Sequence, residues 1–348
     1  MSTWRRLIRS SVAFACYAYV VGLVITLLAL RFVGDHFWFT GVALYVPRVL
    51  FGLPILLFIP LLLWMGMLRL LWTQLAAALI VMFPLMGFVL PRPIASAGAE
   101  PLRVLSYNVA NCGAGEEAIA GAVARHTADV VLMQEVCMPS RLLVERLQQD
   151  YPEVYAKGQF LLASRYPLVG PRDSGEGQWI TGHPSEHSMR YELETPLGRI
   201  AFYNFHPQSP RWALYAVAGM RVRTSLRAGT FWRGGASEDT FRENFASRER
   251  QLAAVARRAD AETLPRILSG DTNLTGLSPV FARYFGEYQD GFPSAGWGFG
   301  YTFPSGEPWL RLDRIMASHE LRFVSFQVGC ADESDHRCVI AQIDRRER

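Results

Sequence analysis

The stretch PRILSGDTNL, residues 265–274, places two polar side chains directly behind a short apolar run. Isoleucine and leucine at 267–268 are typical of a buried β-strand. Gly270 then interrupts the run, and Asp271 and Asn273 follow at a spacing of two. Glycine, aspartate and asparagine are the commonest turn formers, so a turn explains this stretch when it is taken alone. A chemical role for the pair requires partners elsewhere in the chain.

From about Pro101 onward, short strand patterns alternate with helical patterns. Strands are predicted at 102–110, 128–136, 159–164, 188–195, 199–206, 266–271, 311–318, 321–328 and 338–343, and helices at 115–127, 139–150 and 241–259. Strands outnumber helices, and several strands are separated only by a turn. The pattern therefore favours two packed β-sheets flanked by helices over a doubly wound parallel sheet.

Polar residues of the types that bind hard cations or transfer protons lie within or at the end of these predicted strands. They are Asn108, Glu135, His206, Asp271, Asn273, Asp313, Asp335 and His336. Carboxylate and amide oxygens suit Mg²⁺ or Mn²⁺ rather than zinc, which prefers cysteine and histidine. Histidines flanked by acids suit proton transfer to or from water or a phosphate oxygen.

The order of the motifs that contain these residues resembles a known superfamily. The motifs are SYNV (106–109), QEV (134–136), NFH (204–206), GDTN (270–273), RLDRI (311–315) and SDHR (334–337), with LLASRYPL (161–168) and GYTFP (300–304) between them. This order resembles the endonuclease/exonuclease/phosphatase superfamily, whose fold is that of DNase I, over about 102–343. The resemblance implies a four-layer α/β (α+β) sandwich and a metal-dependent phosphoester hydrolase. Thr272 and Cys338 depart from the aromatic residue and the proline that are usual in the family.

The resemblance also implies a metal-binding group. Glu135 is expected to be the principal ligand of Mg²⁺ or Mn²⁺, with Asn108 and Asp335 as further ligands. Asp271 and Asn273 are expected to position the attacking water and the scissile phosphate, with Asn273 contacting the substrate.

Two histidines are expected to act on the phosphate. The resemblance implies that His336 is a general base or a charge stabiliser, oriented by Asp313, and that His206 binds the phosphate or protonates the leaving oxygen. Two ordinary alternatives stay open, because His206 could simply end a strand and Asp313 could form a surface salt bridge with Arg311 or Arg314. Asp290 is expected to support the site or to form a turn.

The first 91 residues have a different composition from the rest. Three stretches, 10–30, 49–68 and 70–91, contain no Asp, Glu, Lys or Arg. Each approaches or exceeds the roughly 20 residues that cross a bilayer as a helix, so three transmembrane helices are predicted. A soluble helical bundle and a cleaved signal peptide explain them less well. Residues 1–91 are thus predicted to be a membrane anchor, 92–100 a linker and 101–348 the catalytic domain.

Charge and cysteine content bear on location. The chain carries a formal net charge of +4, and the arginines of 1–91 account for the basic balance, which argues against a generic polyanion-binding domain. Arginines before the first span favour a cytoplasmic N-terminus and an extracytoplasmic catalytic domain at the cell (inner) membrane.

Four cysteines follow the anchor. In an oxidising compartment we expect Cys112–Cys137 and Cys330–Cys338 pairs, and unpaired cysteines are the alternative.

The substrate class is predicted from one arginine-rich segment and from the membrane tether. Residues 211–250 combine eight arginines with aromatic residues. This combination suits nucleic acid, an anionic membrane surface or an ordinary polar insertion. A tethered domain meets lipid headgroups at high effective concentration, so a phospholipid or sphingomyelin-like phosphodiester is favoured. An extracytoplasmic nuclease and a non-catalytic membrane scaffold are the alternatives, and the oligomeric state is left open.

Overall fold

The protein is described by a computed structural model that covers residues 3–92, 100–174, 178–180, 183–185, 187–218 and 236–346. The chain divides into two compact units. One contains Met1–Val89 and Gly276–Pro279, and the other contains Leu90–Thr275 and Val280–Arg348. Most of the predicted linker lies outside the described residues, so that prediction stays open.

The first unit is built of apolar helices. They are α1 (Thr3–Leu28), α2 (Trp38–Ala43), α3 (Leu53–Trp64) and α4 (Leu71–Ile80). Two continuous helical stretches, Thr3–His36 and Leu68–Leu85, are long and apolar enough to cross a membrane by length and composition. The stretch Arg48–Trp64, where the second of three spans is predicted, is a shorter apolar helix. It ends before Gly66, which has a φ of 65°, so the uncharged run extends beyond the helix.

The second unit contains two six-stranded sheets and the remaining helices. Its elements are β1 (Leu102–Asn108), α5 (Glu116–Ala124), β2 (Val130–Gln134), α6 (Arg141–Leu147), β3 (Glu153–Lys157), β4 (Phe160–Ser164), β5 (Leu168–Ser174), β6 (Gln178–Ile180), β7 (His183–Ser185), β8 (Ser188–Thr195), β9 (Gly198–Phe205), α7 (Arg211–Ala218), α8 (Ala236–Asp260), β10 (Arg266–Asp271), α9 (Pro279–Phe285), β11 (Gln289–Asp290), α10 (Gly291–Ala295), β12 (Asp313–Ala317), β13 (Leu321–Gly329) and β14 (Cys338–Arg345).

The strand order confirms two packed sheets rather than one doubly wound sheet. Sheet I has the order β13-β14-β1-β2-β4-β3, and sheet II has the order β11-β12-β10-β9-β8-β5. The central pairs β1/β2 and β9/β10 are parallel, and the other pairs within the two sheets are antiparallel. These central strands face one another across the interface between the sheets. Carboxyl ends of parallel neighbours meet at one edge, so both sheets bring strand-end residues to the same region.

Apolar packing fixes the helices on the outer face of sheet I. Ile119 and Val123 of α5 and Leu143 and Leu147 of α6 are buried in one cluster with Tyr107 of β1. Each such buried aliphatic side chain contributes roughly 1.5–3 kcal/mol relative to exposure. This burial holds the helices against the strands that carry the site.

A buried amide pair links the two sheets. Gln134 Nε2 of β2 donates to Asn204 Oδ1 of β9 at 2.7 Å, and Asn204 Nδ2 donates to the carbonyl of Met133 at 2.9 Å. Both amide side chains are fully buried. Buried hydrogen bonds of this kind help to fix the register of the surrounding core.

Both expected cysteine pairs are present as disulfides, which confirms that prediction. Cys112 and Cys137 have a Cα–Cα distance of 5.4 Å, and Cys330 and Cys338 have one of 5.3 Å. The first pair closes the segment that leads to Glu135. The second closes a nine-residue segment that contains His336. Cys16, in the first unit, is buried and free.

The described residues of the segment 211–250, which are 211–218 and 236–250, do not form one exposed basic surface. Within the described part of this region, Phe241, Phe245 and Arg248 of α8 are buried, and the Arg248 guanidinium lies over the Phe245 ring at 5.8 Å. Tyr215 of α7 is exposed. Residues 219–235 lie outside the described residues, so a contact with nucleic acid or membrane stays a prediction for them.

Replacing Gly270 with alanine is expected to destabilise the protein by about 2–4 kcal/mol, from combined backbone strain and overpacking. Gly270 has a φ of 150°, and a Cβ there would lie 1.9 Å from the carbonyl oxygen of Phe205 on the neighbouring strand. Gly298→Ala is the matched control, because Gly298 also has a positive φ (86°) but has nothing within 4 Å of its Cβ position. Thermal unfolding of the full chain followed by circular dichroism measures both. Equal losses in the two variants would contradict the steric argument.

Candidate active site

Two side chains of the site come from adjacent strand ends of sheet I. Asn108 ends β1, and Glu135 directly follows β2. Glu135 has a φ of 52°, so the chain turns sharply where the strand stops. Asn108 Nδ2 donates to Glu135 Oε1 at 3.0 Å, and the backbone N–H of Asn111 donates to the Glu135 carbonyl at 2.7 Å. These contacts fix the carboxylate at the edge of the sheet.

Sheet II contributes two more side chains to the same place. Asp271 ends β10, and His206 directly follows β9, its parallel neighbour. His206 Nε2 lies 3.3 Å from Glu135 Oε1 and 3.6 Å from Asp271 Oδ2. Ligand atoms of Glu135, His206 and Asp271 all lie within 4.8 Å of one another. Glu135 and Asp271, which are more than a hundred positions apart in the sequence, thus lie in one cluster with His206.

A glutamine outside the sequence motifs orients His206. Gln159, next to the start of β4, places Oε1 at 2.6 Å from His206 Nδ1. An amide oxygen can only accept, so Nδ1 carries a proton and Nε2 faces the carboxylates. His187 lies behind this histidine and is buried, and burial lowers the pKa of His187. Gln159 has no motif or spacing that could have identified it from the sequence.

His336 forms a second, adjoining cluster. Its Nδ1 lies 2.9 Å from Asp313 Oδ2, and its Nε2 lies 3.6 Å from Asp271 Oδ2. The side chain is buried, and burial alone would lower its pKa. The charges of Asp313 and Asp271 outweigh burial and raise the pKa of His336 to about 10. The raised pKa favours the protonated form of His336 at neutral pH, and its role as general base or as charge stabiliser stays a prediction.

This raised pKa predicts a pH-dependent stability. A group whose folded-state pKa exceeds its ordinary value stabilises the fold below the ordinary value and loses that contribution as pH rises through the folded-state value. For His336 the window runs from 6.5 to about 10. We expect the difference in Tm between the wild-type chain and His336→Gln to be largest at the acidic side of this window and to shrink across it. The measurement is thermal unfolding in EDTA, and a constant difference across the window would contradict the expectation.

Asp271 and Asn273 form a turn as well as part of the site. The backbone N–H of Asn273 donates to Asp271 Oδ1 at 2.8 Å, and Asn273 Nδ2 donates to the carbonyl of Pro207 at 3.0 Å. The turn interpretation of the opening stretch therefore holds locally. The other carboxylate oxygen of Asp271 lies between the two histidines. Contact of Asn273 with a substrate stays a prediction, and its observed bond anchors the backbone next to His206.

Asp335 lies outside both clusters of metal-ligating groups. Its carboxylate lies 2.9 Å from the Arg211 guanidinium, and both side chains are partly exposed. Arg211 also lies over the Phe303 ring at 5.7 Å, and that ring lies 4.7 Å from the His336 ring. Asp335 thus pairs with an arginine, and its ligation of a metal stays a prediction. The sequence marked Arg211 only as one of the arginines of residues 211–250 and gave no signal for its pairing with Asp335.

The arginines that could have paired with Asp313 have another partner. Arg311 and Arg314 each lie within 2.7 Å of Asp290. Burial would raise the pKa of Asp290, but the two arginines hold the pKa of this carboxyl below its usual range. Asp290 also accepts a hydrogen bond from the N–H of Phe292 and caps α10. Asp313 is therefore free of the surface salt bridge and faces His336.

The donor set fits a hard divalent cation. Glu135 and Asp271 offer carboxylate oxygens and His206 offers an imidazole nitrogen, while the cysteines of this unit are paired in disulfides. Asn108 was expected to be a metal ligand. Its Oδ1 accepts a hydrogen bond from the N–H of Ala110, and its Nδ2 faces the carboxylates. This arrangement favours a role for Asn108 in orienting the carboxylates rather than in binding the metal through oxygen.

Comparisons with known proteins support a phosphoesterase fold. A family model described as the Endonuclease/Exonuclease/phosphatase family matches residues 105–336. The chain is similar in structure to an endonuclease/exonuclease/phosphatase from Beutenbergia cavernae (18% identity, 70% of this chain and 72% of that chain, TM-score 0.50). It is also similar to TDP2 from Caenorhabditis elegans (16%, 72% and 100%, 0.51) and to sphingomyelinase C from Streptomyces griseocarneus (17%, 70% and 99%, 0.50). No curated protein matches the chain.

The fold and the family match define a class whose members are metal-dependent phosphoester hydrolases. The family match covers more than half of the 348 residues. The chain belongs to the endonuclease/exonuclease/phosphatase family, as the motif order predicted. At these levels of identity, the similar structures establish the shared fold and not a shared substrate.

Proposed function

We propose that the chain is a membrane-anchored phosphodiesterase that uses Mg²⁺ or Mn²⁺ to hydrolyse a phospholipid or sphingomyelin-like phosphodiester. The observation that carries the proposal is the convergence of Glu135, His206 and Asp271 beside His336, whose pKa the charges of Asp313 and Asp271 raise. Such a group combines a site for a hard cation with a fixed positive charge. Both are suited to a phosphate that gains negative charge during hydrolysis.

Some residues of the site would bind the cation, and others would stabilise negative charge on the phosphate. Glu135 and Asp271 would hold the cation together with His206, and the cation would supply a Lewis acid for the phosphate oxygen. His336, oriented by Asp313 at 2.9 Å, stabilises negative charge on the phosphate through its Nε2–H. Asp271 Oδ2 lies near both histidines and is suited to orient the attacking water.

Three observations support the membrane location and the extracytoplasmic position of the catalytic domain. Two helices of the first unit are long and apolar enough to span a bilayer. Nearly all large hydrophobic side chains that the described residues expose lie before residue 91, and the exceptions are Met138, Leu142, Tyr215 and Trp297. Large exposed apolar surfaces of this kind mark membrane or protein contacts. The two disulfides of the second unit support an oxidising compartment, and therefore an extracytoplasmic catalytic domain. A third crossing by the segment around α3 belongs to this proposal.

The membrane location in turn favours a lipid substrate. A domain tethered to a bilayer meets phospholipid headgroups at a high effective concentration. Sphingomyelinase C from Streptomyces griseocarneus has the same fold, so the fold can accommodate a lipid phosphodiester.

The test uses the purified full chain in neutral detergent with Mg²⁺. Liposomes of phosphatidylcholine, phosphatidylglycerol or sphingomyelin and, separately, plasmid DNA are offered, and release of water-soluble phosphorylated headgroup is measured. We expect headgroup release that EDTA abolishes. Cleavage of DNA alone would replace the lipid proposal by an extracytoplasmic nuclease. Absence of turnover on every phosphoester would favour a scaffold.

A further inference from the structure

A cleft in the first unit combines positive charge with exposed aromatic surface. It has a volume of about 570 Å³ and is lined by Trp4, Arg5, Ile8, Arg9, Trp64 and Met65. Small-molecule sites typically have volumes of roughly 300–1,000 Å³. The cleft is therefore large enough for a polar headgroup with part of its apolar chain.

Two helix ends build the cleft. The first turns of α1 supply Arg5 and Arg9, which lie one turn apart and therefore on one face of the helix. Arg9 Nη1 donates to the carbonyl of Met65 at 2.6 Å. Met65 follows the last residue of α3, where carbonyl groups lack partners within the helix. This bond joins the two helix ends and holds the Arg9 guanidinium in the wall of the cleft.

The cleft is positively charged and has no acidic side chain in its lining. Asp35 is the one acidic residue among positions 1–91 of the sequence, and it does not line the cleft. A guanidinium group binds phosphate oxygens through several N–H donors at once. The charge of the cleft therefore favours an anion with phosphate chemistry.

Two tryptophans add the preference for a lipid. Trp4 is 69% exposed and Trp64 is 85% exposed. Tryptophan concentrates at membrane–water interfaces, where its ring lies at headgroup depth. Together with Ile8 and Met65, these rings offer an apolar surface next to the two guanidinium groups.

We propose that this cleft binds the phosphate headgroup of an anionic phospholipid, with Arg5 and Arg9 on the phosphate and with Trp4 and Trp64 against the glycerol and the upper acyl chains. Basic pockets between membrane helices are known to bind anionic headgroups. The inference rests on the proposed membrane location. It is a binding site, because none of the lining side chains is a nucleophile or a proton-transfer group.

The test is native mass spectrometry of the full chain in neutral detergent with EDTA, titrated with phosphatidylglycerol or phosphatidylcholine. We expect a saturable phosphatidylglycerol adduct and much weaker phosphatidylcholine binding. Arg5→Gln and Arg9→Gln are each expected to raise the Kd for phosphatidylglycerol about fivefold. Arg6→Gln is the matched control, because it removes the same charge at the adjacent position and does not line the cleft. It is expected to leave the Kd unchanged.

Equal weakening by Arg5→Gln and Arg6→Gln would overturn the proposal in favour of diffuse attraction between arginines and lipid. Equal affinity for the two lipids, or no adduct at all, would also overturn it. EDTA removes hydrolysis from the measurement, so the result is independent of the catalytic proposal. If the chain binds phosphatidylglycerol in this way but hydrolyses no lipid, the binding site is supported and the proposed catalytic function is overturned.

Discussion

Replacing His336 with alanine is expected to lower kcat for phosphoester hydrolysis by about 10²–10⁴-fold, the range seen when one positioned proton-transfer or charge-stabilising group is removed. His336 is buried between Asp313 and Asp271 and is held protonated by them. Its loss removes the fixed positive charge and leaves two carboxylates that repel the phosphate. The measurement is kcat and KM for bis-p-nitrophenyl phosphate in Mg²⁺.

The matched control is His319→Ala, because His319 is exposed and lies outside both clusters of potential metal ligands. We expect its kcat to match that of the wild-type chain. Thermal unfolding of both variants separates loss of folding from loss of chemistry. A folded His336→Ala variant with nearly wild-type kcat would contradict the role given to this histidine.

Replacing Asp290 with alanine is expected to destabilise the fold by about 3–5 kcal/mol, the cost of removing one partner from a buried ion pair. Arg314 is fully buried and lies 2.6 Å from Asp290, so the variant leaves a buried guanidinium without its carboxylate. The pKa of Asp290 is lowered by its arginines. The stabilisation is therefore present above the ordinary pKa of aspartate and is lost as pH falls through the lower folded-state value.

Urea unfolding of the full chain at neutral and at acidic pH measures this effect. Glu117→Ala is the control, because its bridge to Arg146 joins two side chains that are 62% and 45% exposed. Exposed pairs contribute about 0–1 kcal/mol. A loss at Asp290 as small as the loss at Glu117 would show that the buried pair contributes no more than a surface bridge.

The sequence predicted which strand ends come together because the polar residues there lie in short local motifs. Glu135, His206, Asp271 and His336 each follow or end a recognisable strand or motif, and the motif order supplied the topology that brings them together. Asn108 was also found, but its side-chain orientation depends on a bond to the N–H of Ala110, which no pattern of residue types encodes.

Partners that reach across the fold could not be predicted. Gln159 bonds to His206 across 47 positions, and Arg211 reaches Asp335 across 124 positions. Gln159 begins a predicted strand and Arg211 begins the arginine-rich segment, but neither pattern indicates a partner so far away in the sequence. Asp290 was predicted to support the site or form a turn, and its actual partners, Arg311 and Arg314, are selected by burial rather than by spacing.

The membrane segments show a different limit of sequence reasoning. Uncharged runs set the longest extent of an apolar helix, but glycine and proline decide where the helix ends. Gly66 and Gly87 both have a positive φ and lie inside predicted spans. The structure therefore has two helices of spanning length where the uncharged runs predict three.

We infer that Glu135 and Asp271, contributed by two different sheets, hold one divalent cation beside the scissile phosphate. Anomalous X-ray scattering from crystals of the full chain soaked in Mn²⁺ tests it most directly. We predict one strong manganese peak within about 2.0–2.3 Å of a carboxylate oxygen of each residue, a distance typical of hard cations and oxygen. Manganese bound elsewhere, with both carboxylates unliganded, would contradict the account.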